Sequence, residues 1–207
     1  MSAQDSVNTE LDAGPETTMG GRPKSLGQFS YKDPLPTSEK VRRAVWNVVW
    51  AILFRPTPRL GFRWWRRALL RAFGAKVGKT AKISSSCFIW APWKFSIGER
   101  SALGDNVYVY SMAQVTIGSF CAVSEGTFLC TGTHGTSLSR PLLMHPITIR
   151  DYSWVAAQSF VMPGVTIGEG AVIGARSVVT KDMPPWTICV GHPCRPVRRR
   201  DPEEKDS

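Results

Sequence analysis

From Lys40 to Ile97 the 207-residue sequence has no acidic residue, although that span holds thirteen of its 26 lysines and arginines. So one-sided a block favours an anionic partner, which means a membrane surface, a phosphorylated substrate or nucleic acid; a solvated basic face is the plainer reading. No base-stacking or groove-reading motif accompanies the block, so nucleic acid is not expected. Long apolar runs are also missing. The best of them, Ala44 to Phe54 with one Asn, falls short of the about 20 residues a bilayer-spanning helix needs. The opening residues lack the apolar core of a secretory signal. Cys87, Cys121, Cys130, Cys189 and Cys194 form no CxxC pair and sit mostly among apolar neighbours, which reads as reduced, buried thiols in a cytosolic protein. The three histidines are far apart and lack ligand spacing, so no metal is expected.

What the chain does have is a six-residue beat. Every sixth residue from Ile149 is aliphatic: Val155, Val161, Ile167, Ile173 and Val179. Small residues often follow the anchor (Ala156, Gly168, Gly174), and Ser153, Ser159, Ala171 and Ser177 recur four residues after it. A period of six matches neither a helix nor a simple strand. It matches a chain that turns a corner every six residues, so that three short strands close one triangular coil and stacked coils share an aliphatic interior.

The same beat starts earlier, at Val77, Ile83 and Ile89. A slip near Pro92-Trp93 moves it to Ile97, Leu103 and Val109, and a second slip moves it to Ile117, Val123 and Leu129. It breaks from Gly132 to Thr148. These limits give four parts: a flexible polar tail (1–36), a basic Trp-rich helical region (37–75), a repeat domain (76–183) with a loop (132–148), and a basic C-terminal tail (184–207) that follows Pro184-Pro185. In the second part Ser38 reads as the N-cap of a helix with Val41, Ala44, Val45, Val48, Val49, Ile52 and Leu53 on one face, stopped by Pro56 and Pro58. A second helix carries Trp64, Trp65, Arg66, Arg67 and Arg71 and ends at Gly74. Two roles suit this pair: capping the open end of the stack, or meeting a membrane or lipid-phosphate substrate through residues 41–73.

A long excursion from a regular coil costs ordering entropy, which draws attention to Thr131-Gly132-Thr133-His134-Gly135 at its root. An imidazole there suits a general base at neutral pH, and a structural histidine is the other reading. His145 and His192 each precede proline and read as structural. Glu125 is placed in the strand before His134, where it either orients the imidazole or faces solvent.

The repeat, the Thr-Gly-Thr-His step, Trp154-Val155-Ala156-Ala157, Val161-Met162-Pro163-Gly164-Val165-Thr166-Ile167-Gly168, Gly174 to Asp182, and Gly191-His192-Pro193-Cys194-Arg195-Pro196-Val197 resemble the hexapeptide-repeat acetyltransferases. Within them the chain is similar to the galactoside and maltose acetyltransferase group, and above all to the colanic acid (exopolysaccharide) biosynthesis acetyltransferases. That subgroup shares a Trp-rich start like Arg43-Ala44-Val45-Trp46-Asn47 and Leu53-Phe54-Arg55-Pro56. The resemblance covers roughly residues 40–200.

It implies a mainly β fold, a left-handed parallel β-helix, which departs from the usual crossover hand. It further implies a cytoplasmic homotrimer with active sites between subunits and acetyl-CoA as donor. His134 matches the catalytic histidine, and Trp154 matches a tryptophan walling the acetyl and pantetheine region. Ala157, Ala175, Thr180 and Lys181 match the CoA groove; Arg195 and Arg198 match the positions that meet CoA phosphates, a role their charge suits. The asparagine and aspartate that hold a simple sugar are replaced by Gly104 and Met112, with Asp105 or Asn106 as stand-ins. The expected activity is O-acetylation of a sugar in an exopolysaccharide or its lipid-linked precursor, at the inner face of the plasma membrane. A small-molecule acceptor and a non-catalytic scaffold are the alternatives.

Overall fold

The computed structural model describes residues 35–58, 61–137 and 140–202. All but the end of the expected tail 1–36, and the last five residues of the chain, lie outside those described.

Short strands wind the chain into a left-handed triangular prism. The first coil is β1 (Lys76–Val77), β2 (Lys82–Ile83) and β3 (Phe88–Ile89); the second is β4 (Phe95–Ile97), β5 (Ala102–Leu103) and β6 (Tyr108–Tyr110); the third is β7 (Val115–Ile117), β8 (Ala122–Val123) and β9 (Phe128–Cys130). A hairpin, β10 (Gly132–His134) and β11 (Leu142–Met144), interrupts the winding. The fourth coil is β12 (Ile147–Ile149), β13 (Trp154–Val155) and β14 (Phe160–Val161), and the fifth is β15 (Thr166–Ile167), β16 (Val172–Ile173) and β17 (Val178–Val179). Sheet A stacks β1, β4, β7, β12 and β15, and sheet C stacks β3, β6, β9, β14 and β17. Sheet B stacks β2, β5, β8, β13 and β16 and continues into β18 (Thr187–Val190) and the antiparallel β19 (Arg195–Arg199). Residues 184–202 are therefore not a tail: β18 extends the stack and β19 folds back along it.

The hexad anchors point inward in three columns, Val77 to Ile167 in sheet A, Ile83 to Cys189 in sheet B and Ile89 to Val179 in sheet C, all buried. Serines between anchors sit buried at the corners, where hydroxyls bind carbonyls that bending leaves over: Ser101 Oγ to Gly118 O at 2.7 Å and Ser153 Oγ to Gly168 O at 2.8 Å. Several corners are turned by non-glycine residues in the left-handed region, among them Phe120 (φ 58°), Tyr152 (φ 61°) and Trp186 (φ 51°). Each carries a backbone cost. The rings offset part of it by stacking up one corner, with centroids 5.0 Å apart for Phe120 and Tyr152 and 6.4 Å for Tyr152 and Trp186.

Helix α1 (Thr37–Val49) runs on through a π-helical turn (Trp50–Phe54) before the prolines, and α2 (Arg63–Ala72) follows. Ser38 is not the cap: α1 begins one residue earlier, without a side-chain cap, and Pro36 O accepts from the Glu39 and Lys40 N–H groups. The first coil has no preceding coil to donate to it, and five of its carbonyls take side-chain donors instead. Trp46 Nε1 reaches Ile89 O (2.6 Å), Trp50 Nε1 reaches Cys87 O (2.9 Å), Arg66 Nε reaches Ile83 O (2.8 Å), Arg67 Nη1 reaches Ala81 O (3.2 Å) and Arg71 Nη2 reaches Val77 O (2.6 Å). Indole and guanidinium are donor-only groups, which is what exposed carbonyls require. The Trp- and Arg-rich composition of this region thus has a structural use.

Candidate active site

Length irregularities in the repeat gather at one edge of the prism, where sheet C turns into sheet A. Eight residues instead of six separate Ile89 from Ile97 and Val109 from Ile117, and twenty separate Leu129 from Ile149. The first slip becomes a 3-10 turn at Pro92–Lys94, tied down by an ion pair from Lys94 Nζ to Glu39 (2.6 Å) and a hydrogen bond from Lys94 Nζ to Met112 O (2.9 Å). Burial pushes the Glu39 carboxyl upward, but hydrogen bonds from Lys94 and Trp93 outweigh it and hold the group below its ordinary value.

The twenty-residue interval is the hairpin, more ordered than the loop expected at 132–148, and the stack resumes at Ile147. Its root explains the Thr-Gly-Thr-His spacing. Buried Thr131 donates through Oγ1 to Tyr110 O (2.6 Å) and accepts from the Ala113 N–H (2.9 Å), pinning the exit point to the coil below. Gly132 passes so close to Met112 that a Cβ there would sit 2.7 Å from its Sδ. His134 then ends β10, exposed, opposite Leu142. Its Nδ1 lies 2.9 Å from Arg140 O. A carbonyl only accepts, so Nδ1 carries the proton and Nε2 is the basic nitrogen of the neutral ring.

Arg140, in the left-handed region (φ 43°), closes the turn with its N–H on Ser137 O (2.9 Å). No sequence signal marks it, because the group that orients the imidazole is a backbone carbonyl. Glu125 is not that group. It lies in the exposed turn between β8 and β9, at the corner from sheet B to sheet C, rather than in a strand. His145 donates its backbone N–H to Thr131 O (2.9 Å) and its Cβ packs against Gly164; His192 is exposed in the turn between β18 and β19.

The residues matched to CoA binding fall elsewhere on the prism. Trp154 stands on the outer face of sheet B, 46% exposed, its Nε1 donating to Ser124 Oγ (3.0 Å). Ala157 and Ala175 are stacked at the corner from sheet B to sheet C, one coil apart, where the Arg176 N–H meets Ala157 O (2.8 Å). Thr180 and Lys181 are exposed on the sheet C to sheet A edge. Arg195 and Arg198 project from β19, paired in register with Val190 and Ile188. One chain therefore places His134 on one edge and Ala157 and Ala175 on another, with sheet C between them.

Of the acceptor candidates, Asp105 is occupied by the coil below, accepting from the Ser84 and Ser86 hydroxyls. Asn106 (φ 56°) borders an open cavity of about 400 Å³ with Trp50, Arg55, Ser86, Phe88 and Tyr108. Gly104 is held by close approach, since a Cβ would lie 2.7 Å from Glu125 N.

Comparison with known proteins agrees with the architecture. The bacterial transferase hexapeptide family (six repeats) matches residues 146–181. WcaF of Escherichia coli K12, named as a colanic acid biosynthesis acetyltransferase, is 38% identical over 178 residues, covering 86% of this chain and 97% of its own length. The maltose O-acetyltransferase of Clostridium difficile 630 superposes with a TM-score of 0.73 at 26% identity, over 80% of this chain and 90% of that one. The Vibrio cholerae hexapeptide-repeat acetyltransferase VCA0836, solved with acetyl-CoA, shares the fold at 24% identity (TM-score 0.74, 83% and 93% coverage). With a repeat column intact through five coils and a full-length relative at 38% identity, this chain belongs to the hexapeptide-repeat acetyltransferases and is an acyltransferase.

Proposed function

We propose that the protein moves the acetyl group of acetyl-CoA onto a sugar hydroxyl of an exopolysaccharide or its lipid-linked precursor, with His134 as general base. The observation that carries this reading is the His134 Nδ1 contact with Arg140 O at 2.9 Å, which supports the tautomer with its proton on Nδ1 and Nε2 as the proton acceptor. In the reaction Nε2 takes the hydroxyl proton as the sugar oxygen attacks the thioester carbonyl. The carbon–sulfur bond breaks as the carbonyl re-forms, and the departing sulfur receives the proton from Nε2.

The residues present fit the donor. Small side chains at Ala157 and Ala175 leave backbone amides open to a pantetheine chain, and exposed Arg195 and Arg198 suit its phosphates. Assembly as a homotrimer accounts for the separation of these groups. The outer face of sheet C carries a half-buried apolar column, in which the Tyr108 and Phe128 centroids are 4.9 Å apart and those of Phe128 and Phe160 5.0 Å. Sheet A presents Ser96, Thr116, Thr148 and Thr166 outward instead. Three prisms with sheet C toward a three-fold axis bury the apolar column. The same packing sets the edge bearing His134 of each copy beside the Ala157–Ala175 corner of the next. WcaF's name points to a polysaccharide acceptor, and the replacement of the small-sugar pair by Gly104 and Met112 agrees with an acceptor other than a simple galactoside or maltose.

The test is acetyl-CoA-dependent thiol release, wild type against His134→Ala, with and without lipid-linked oligosaccharide. Acceptor-dependent release that falls by about 10²–10⁴ in the variant is expected. Undiminished turnover in His134→Ala would overturn the assignment of the base, and CoA binding without release on any saccharide would overturn the acceptor.

A further inference from the structure

Helix α1 has two apolar faces, and the prism uses one. Trp46 and Phe54 are fully buried and Trp50 partly so, all on the side that caps the first coil. On the opposite side Val41, Val45, Val48 and Ile52 follow at helical spacing with 57%, 50%, 58% and 64% of their surface exposed. The stripe they form is about 17 Å long at 1.5 Å per residue. Trp64, 60% exposed at the start of α2, adds an indole packed edge-on against Trp65 with centroids 5.8 Å apart.

The exposed charge on the helices and the first coil is mostly positive: Glu39 of α1 is paired with Lys94, and Glu99 of the second coil accepts from the Lys79 and Thr80 N–H groups. Lys40, Arg55 and Arg63 on the helices and Lys76, Lys79 and Lys82 on the first coil are exposed, with no acid in the sequence between Lys40 and Ile97. The guanidinium groups of Arg66, Arg67 and Arg71 are absorbed by carbonyl capping, and Arg42 and Arg43 lie over the Trp93 and Trp90 rings at 4.2 Å and 3.6 Å. Arg55 lies 5.4 Å from the Trp50 ring centroid, and Lys76, Lys79 and Lys82 stand exposed on the first coil.

We infer that the exposed aliphatic stripe of α1 and its π-helical turn is a docking face for an anionic bilayer surface. An interfacial helix places its apolar side at the acyl boundary while flanking cations meet lipid phosphates, and stripe and cations here share one end of the prism. Two copies of the chain meeting stripe to stripe would bring like charges together, which disfavours a second copy as the occupant. A nucleic-acid backbone would answer the cations and leave the stripe in water. Among the described residues no helix is long and apolar enough to cross a membrane, so the contact is shallow. A protein held in this way meets lipid-linked acceptors at the surface where they reside, a consequence that rests on the acetyl-transfer reading; the docking does not.

The test is cosedimentation of the full-length protein with vesicles of phosphatidylcholine alone and of phosphatidylcholine with phosphatidylglycerol, for wild type and for Val48→Glu/Ile52→Glu. Both positions are exposed and glutamate favours helix, so the melting temperature is expected to be unchanged. Wild type should pellet with the anionic vesicles only, less so in high salt, and the variant should bind at least about tenfold more weakly. Vesicle-free thiol release should be equal in the two proteins, which separates a failure of docking from a failure of the catalytic reading. Wild type that ignores anionic vesicles, or a variant that binds as wild type does, overturns the inference. A variant whose subunit number falls in sedimentation velocity assigns the stripe to a subunit contact, and wild type retained by duplex DNA but not by vesicles assigns the cations to nucleic acid. Either result overturns it.

Discussion

Replacing Trp46 with Phe removes one hydrogen-bond donor and little else. The indole is fully buried, its Nε1 is 2.6 Å from Ile89 O, and its ring packs against Phe54 and Phe73 with centroids 6.1 and 5.0 Å away. Phenylalanine keeps an aromatic ring in that place but leaves the carbonyl without its donor, at a cost of about 1–3 kcal/mol. The space vacated by the smaller ring adds on the order of 1 kcal/mol. The sum, about 2–4 kcal/mol, corresponds to a fall in melting temperature of roughly 5–15 °C for a domain of this size. The assay is thermal unfolding followed by circular dichroism at one fixed protein concentration, since any self-association makes the midpoint concentration-dependent. Trp64→Phe, at a position 60% exposed, is the control and should change stability by no more than about 0.5 kcal/mol. If Trp46→Phe melts within about 1 °C of wild type, the indole is packing only, and carbonyl capping does not explain why this region is rich in tryptophan and arginine.

Glu99 and the thiols give two further expectations. Hydrogen bonds from the Thr80 hydroxyl and from the Lys79 and Thr80 N–H groups hold the Glu99 carboxyl down to about 2 from its ordinary 4.5. Its folded value is the lower one, so its contribution is complete above pH 4.5 and is lost as pH falls toward 2. Denaturant midpoints of Glu99→Gln and wild type should converge over that window, and parallel profiles would refute the linkage. Burial raises the Cys87, Cys121 and Cys194 thiols and lifts Cys189 to about 11, while Cys130 is the only one of the five that is not fully buried. A thiol-exchange chromophore at pH 8 should therefore react slowly with the native protein, at Cys130 first, and reach all five only in denaturant; rapid native release of more than one equivalent would contradict the burial.

The coil interior was legible because only one side chain in six must be aliphatic and inward, and that demand leaves a mark no helix or flat sheet leaves. The edge that bears His134 was legible for the complementary reason. Extra residues within a strand would shift its anchor out of register with the anchors of the neighbouring coils; the insertions from Pro92 to Met144 all fall at one corner, and each appeared in the sequence as a slip. The orientation of α1 was not legible. Val41, Val45, Val48 and Ile52 form the more regular stripe, yet the buried side is that of Trp46 and Phe54, because the open coil needs donors and valine has none. Glu125 was misplaced for a related reason. Hexad counting locates inward anchors and says little about which exposed residues sit in turns, and the group beside the imidazole proved to be the main-chain oxygen of Arg140. The distance between His134 and the Ala157–Ala175 corner lies beyond any periodicity, since it becomes informative only once sheet C is seen to separate them. In the proposed trimer the apolar column on the intervening face would be the contact and the histidine at its edge would meet the next copy, and a repeat that varies at one edge alone would let that edge specialise while the contact face stays constant.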